Sequence, residues 1–138
     1  MTDENARTNA SAELQKAYAA RRAARALAGL GLYDDAASRL YYAAFHLISA
    51  SLLCLGVQAQ THRGVASLLG QHLVKPGLVP TSIARDFATL LGLRSQADYN
   101  RHFLLDAPSI TDELARVDAM FELIGTFLTA RGISLPNG

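Results

Sequence analysis

Residues 34–56 read DDAASRLYYAAFHLISASLLCLG, from Asp34 to Gly56. The stretch has no proline and no internal glycine, and as α-helix it extends about 34 Å. Ala36, Ala37, Leu40, Tyr41, Ala44, Phe45, Leu47, Ile48, Leu52, Leu53 and Leu55 place apolar surface on almost every side. A helix apolar nearly all round belongs in the middle of a bundle. One polar stripe interrupts it. Arg39, Tyr42, His46 and Ser49 follow at i, i+3, i+7 and i+10 and share one edge. The stretch therefore reads as a central helix whose polar edge faces something other than hydrocarbon.

Around this helix, 138 residues suffice for one domain with a real core. The apolar fraction is 50% and the charged fraction 18%, as in a globular protein, and a net charge of +1 supplies no global field for nucleic acid. Eleven of the thirteen basic residues are arginine. That suits planar recognition of phosphate or carboxylate, and a GC-rich genome gives the same bias. Cys54 is the only cysteine, which excludes an intrachain disulfide and a cysteine-based metal site. The polar start MTDENARTNA does not read as a signal peptide, and the apolar run Ala43–Leu55 is too short and polar to span a bilayer. A cytoplasmic location without membrane association is the default expectation.

The remaining segments read as helices. Residues 1–10 are expected to be a disordered tail, residues 11–132 the helical bundle and residues 133–138 a C-terminal tail. The first helix is expected from Ser11 to Leu30, carrying Arg21, Arg22 and Arg25 as a basic edge, solvated or contacting phosphate. Thr61 caps a short helix reaching about Val74. Thr81 or Ser82 caps a fourth, expected to reach Phe103 or Leu105. Ser109 or Thr111 caps a fifth, running to Ala130 on Leu114, Val117, Phe121, Ile124 and Leu128. No segment alternates with period two. The expected fold is all-α, an up-down bundle of four long helices and one short one.

The fourth helix carries an anomaly. Ile83, Phe87 and Leu90 mark its inward face, and continuing that spacing reaches Arg94, Asp98 and Arg101, with His102 beside them. Charge arrives where the core stripe should continue. Arg94 and Asp98, at i and i+4, can pair directly. This is either an ion pair tying the helix to the bundle or the mark of a functional site. The four histidines, His46, His62, His72 and His102, lack zinc spacing, and no phosphate-binding glycine motif is present, so no metal and no cofactor is expected. Asp34–Asp35 and Asp112–Glu113 read as first-turn acids that favour the helix dipole rather than as catalytic carboxylates.

The run GLYDDAASRLYYAAFHL, the following THRGVASLLGQHLVKPG and the later LRSQADY together resemble the small stand-alone prokaryotic HEPN proteins. The resemblance spans residues 12 to 130. It implies a helical bundle that forms a homodimer through the face bearing the motif. It also implies an RNA or nucleotide ligand and, in many relatives, a minimal nucleotidyltransferase as antitoxin to a HEPN toxin. Many members are metal-independent endoribonucleases with an arginine followed, after four to six residues, by histidine. Arg94 matches that arginine. His102 follows after seven residues, and Asp98–Tyr99 stand where active members place histidine. The resemblance thus suggests Arg94 and His102 as catalytic candidates, and Arg39, Tyr42, His46, Asp98, Tyr99 and Arg101 as an RNA- or nucleotide-binding set. In a cleaving member, arginine stabilises charge on the phosphoryl oxygens while histidine moves the proton. Tyr42 and Tyr99 suit stacking on a base as well as they suit a core. A non-catalytic module that seals a homodimer or binds the nucleotidyltransferase is the further alternative.

Overall fold

A computed structural model describes residues 3–138. Helix α1 is Asp3–Gly29, α2 Tyr33–Cys54, α3 His62–Leu69, α4 Thr81–Tyr99 and α5 Ala107–Ala130. A single π-helical turn, Gly70–Val74, continues α3. There is no strand among the described residues. The all-α bundle of four long helices and one short one is as the sequence pattern predicts.

α2 is the hub: it packs against α1, α3, α4 and α5. Its contact with α1 is the most extensive in the molecule. On α1, Ala10, Ala17 and Ala24 recur every seven residues; on α2, Ala36, Ala43 and Ala50 do the same, and all six are fully buried. A seven-residue repeat of small side chains lets two helices lie close along their length. Leu14, Leu40, Leu47, Ile48 and Leu52 fill the space around these alanines, and Ile83, Phe87 and Leu90 of α4 close the core from the other side.

Several expected boundaries move. α1 begins at Asp3, well before Ser11, with Ala6 and Ala10 buried; Met1 and Thr2 lie outside the described residues. The expected tail is therefore helical from Asp3, because its alanines continue the small-residue seam although they carry little hydropathy signal. α4 ends at Tyr99, short of Phe103. Asn100 leaves the helix in an extended conformation, its amide donates to Gln96 Oε1 and its Oδ1 accepts from the His102 backbone N–H. These local bonds compete with the helix. α5 is capped by Asp106, which accepts from the Ser109 N–H, rather than by Ser109 or Thr111. Thr61 does cap α3, accepting from the Gly64 N–H.

Glycine is needed where α2 ends. Gly56 has φ +75°, and the Val57 N–H donates to the Leu52 carbonyl across it. This left-handed cap satisfies carbonyls that the helix leaves open. Gly132 (φ +83°) repeats the arrangement after α5 and turns the chain so that Ile133 is buried.

Arg21 and Arg25 both pair with Asp118, tying α1 to α5. Arg21 also lies 4.0 Å over the Phe121 ring, and burial together with the neighbouring Arg25 holds its guanidinium pKa below the usual range. These two arginines thus have structural partners, while Arg22 is exposed.

Candidate functional site

Arg94 sits where α4 crosses the aromatic edge of α2. Its Nη2 donates to the Tyr42 hydroxyl at 3.0 Å. The guanidinium carbon is 5.2 Å from the Tyr41 ring centre and 5.1 Å from that of Tyr42. Its Nε lies 3.3 Å from Asp98 Oδ2, close enough to pair, but the N–H is not directed onto that oxygen. The Nε–H is therefore buried without a hydrogen-bond acceptor. A buried donor left open costs about 1–3 kcal/mol. Asp98 is itself oriented by α2, since its Oδ1 accepts from the Ser38 hydroxyl at 2.8 Å.

The helical stripe predicted on α2 is present as one edge. Arg39 lies over the Tyr42 ring at 4.8 Å, and the His46 ring centre is 6.5 Å from that of Tyr42. With Lys16, Ala20 and Ala23 of α1 these side chains line an open cleft of about 460 Å³. The cleft carries two cations on an alanine floor, beside the phenol that accepts from Arg94. His46 is fixed from behind: its Nδ1–H donates to Glu13 Oε2 at 2.6 Å. That bond and the imidazole's charge hold the Glu13 carboxyl below the usual range, against the opposing effect of burial.

A second histidine joins the site from α3. His62 stacks on Phe45 at 4.1 Å between ring centres and 12° between planes. Its Nδ1 lies 3.3 Å from the Tyr41 hydroxyl, and its ring is 5.9 Å from that of Tyr42, edge to face. Tyr41 is buried, which raises its phenol pKa, and it stacks on Phe87 of the core at 5.5 Å. The tyrosine pair thus connects the core, Arg94 and His62.

Of the residues predicted for the site, Arg94, Asp98, Tyr42, Arg39 and His46 come together. Tyr99, Arg101 and His102 do not join them. Tyr99 ends α4 at 78% exposure, and Arg101 and His102 lie exposed beyond the helix. Among the described residues no three of His, Cys, Asp or Glu are grouped to hold a metal ion, and no helix is long and apolar enough to cross a membrane.

A model of the HEPN domain matches residues 10–123. The chain belongs to the HEPN family. A UPF0332 protein of Gloeobacter violaceus is 41% identical over 62% of this chain and 68% of its own length. A Methanocaldococcus jannaschii protein named as a candidate toxin is 37% identical over 49% of this chain and 51% of its own. A UPF0332 protein of Thermotoga maritima is 26% identical over 65% and 68%. The chain thus spans about half to two thirds of these relatives.

Within this HEPN domain, sequence reading missed Glu13, Ser38, Tyr41 and His62. Glu13 reaches the site from α1, and no spacing in the chain links it there; Ser38 had a signal, since it stands one turn before Tyr42 on the same face of α2. Tyr41 reads as core, which it also is. For His62 a signal existed: it directly follows Thr61, a strong cap, so its position at the start of α3 was readable. The acids Asp112 and Glu113 do not lie in a first turn, because α5 starts at Ala107. Glu113 is buried, pairs with Arg116 at 3.1 Å, and burial pushes its carboxyl above the usual range.

Proposed function

We propose that this protein is the toxin-side component of a toxin–antitoxin or defence module, a HEPN dimer that binds RNA or a nucleotide through Arg94 and the Arg39–Tyr42–His46 edge. The observation that carries the reading is the guanidinium of Arg94, a side chain still 22% exposed, held between two tyrosines and an aspartate that is itself oriented by Ser38. A phosphate is the anion a partly exposed guanidinium suits, and Arg39 and Lys16 extend positive charge along the adjacent cleft. The name of the Methanocaldococcus relative favours the toxin role. The natural partner in this reading is a minimal nucleotidyltransferase acting as antitoxin.

The test is fluorescence anisotropy with a labelled single-stranded RNA. Arg94→Ala is expected to weaken binding about tenfold or more while the melting transition stays cooperative. Wild-type affinity in a folded Arg94→Ala protein overturns the reading.

A second reading, a metal-independent endoribonuclease using Arg94 and His102, draws support from the end of α4 at Tyr99. An unbroken helix would hold His102 about 12 Å along the axis from Arg94; the break removes that constraint. Cleavage of labelled RNA in EDTA that His102→Ala abolishes supports it, and intact RNA removes it. A module that only seals a dimer or docks the nucleotidyltransferase predicts neither binding nor cleavage of RNA.

A further inference from the structure

We propose that the cavity beside the Phe45–His62 stack is a nucleobase pocket, taking the base of the nucleotide whose phosphate meets Arg94. This rests on the phosphate reading of Arg94 and adds a specificity element to it. The cavity measures about 280 Å³ and is lined by Glu13, Phe45, Ser49, Gln58, Gln60 and His62, among others. Ligand sites of roughly 300–1,000 Å³ hold drug-sized molecules, so this one suits a single ring system and not a dinucleotide.

Its chemistry matches a base better than a lipid. Phe45 and His62, stacked face to face, place aromatic surface at its edge. Two carboxamides and a hydroxyl each offer both donor and acceptor. Glu13, whose Oε2 accepts from His46, places a carboxylate acceptor in the wall for an exocyclic amine. Glu13, Gln58 and Gln60 in the wall are ill-matched to an acyl chain. Single-stranded RNA is recognised by this pairing of aromatic stacking with hydrogen bonds to base edges.

The pocket neighbours the Arg94 site through His62. His62 stands in the cavity wall and also lies 5.9 Å from the Tyr42 ring, whose hydroxyl accepts from Arg94. A base against His62 and a phosphate against Arg94 would lie on either side of one tyrosine. Two sources present this chemistry, a free nucleotide and a strand of RNA.

The experiment titrates full-length protein against labelled RNA decamers of adenine, cytosine or uracil, an abasic ribose-phosphate decamer, and the corresponding nucleoside monophosphates. The wild-type protein is expected to rank the bases over a range of about fivefold or more. Gln60→Ala, at an exposed position, and Ser49→Phe, which fills the cavity, should shrink that range to about twofold and leave the abasic decamer unaffected. Arg94→Ala should weaken every ligand, the abasic decamer included. The same ranking among monophosphates identifies a free nucleotide as the ligand, and ranking confined to decamers identifies a strand. If Arg94→Ala weakens the abasic decamer but Gln60→Ala keeps the base ranking, or if the wild type ranks no bases, the pocket proposal is overturned alone. If Arg94→Ala leaves the abasic decamer unaffected, the phosphate reading fails and takes the proposal with it.

Discussion

The hydroxyl of Tyr42 accepts a hydrogen bond from Arg94, joining α2 to α4 at 3.0 Å. It is the direct link between the polar edge of the central helix and the charge at the end of α4's core stripe. Tyr42→Phe keeps the ring that both Arg39 and Arg94 lie against and deletes only the acceptor. Because the lost partner is a charged donor, the variant should be destabilised by about 1.5 kcal/mol. Urea unfolding checks this; an unchanged midpoint would mean that water replaces the phenol at no cost.

Arg94→Lys tests geometry against charge. A lysine keeps the cation but cannot direct separate N–H groups at Tyr42 and at an incoming oxygen. RNA affinity should stay well below wild type, within about threefold of Arg94→Ala. Recovery of wild-type binding would show that Arg94 acts only as a point charge.

Two carboxylates should respond to pH with opposite signs. Glu13, held low by His46, adds stability above the ordinary carboxylate range and loses it as pH falls through its depressed folded value. Glu113, pushed up by burial, adds stability below that range and loses it as pH rises through its elevated folded value. The melting-temperature difference between Glu113→Gln and wild type should therefore become more positive from pH 4 to pH 8. For Glu13→Gln it should become more negative over the same interval. Thermal melts across that interval read both signs, and parallel curves would contradict the assigned environments.

Glycine substitutions separate backbone need from space. Gly92 lies inside α4 with nothing within 4 Å of an added Cβ, so Gly92→Ala should stabilise by about 0.5–1 kcal/mol. Gly56 is equally open, but its φ of +75° penalises any Cβ, so Gly56→Ala should cost about 1–2 kcal/mol. Denaturant midpoints moving in the same direction would refute the distinction.

The fold was readable because apolar periodicity is written in the chain itself. The all-round apolar character of residues 34–56 marks the hub, and the arrival of Arg94 after Ile83, Phe87 and Leu90 marks the site. What was not readable depends on partners distant in sequence. His46 gave no sign that Glu13, on another helix, would fix its ring. Arg21 and Arg25 read as a basic edge because Asp118, their partner, is on α5. Helix ends set by local side-chain bonds also escaped, as at Asn100, where a bond to Gln96 and a turn at His102 outweigh a sequence that could have continued as helix.

The seven-residue alanine seam has a consequence for how such a chain can change over time. Because α1 and α2 meet through residues with no atoms to spare, neither helix can slide or rotate without opening a void or a clash. Glu13 and His46 are carried on these two helices, so their alignment is inherited from the backbone register. Replacing a seam alanine with valine would misalign the pair even though neither member was altered.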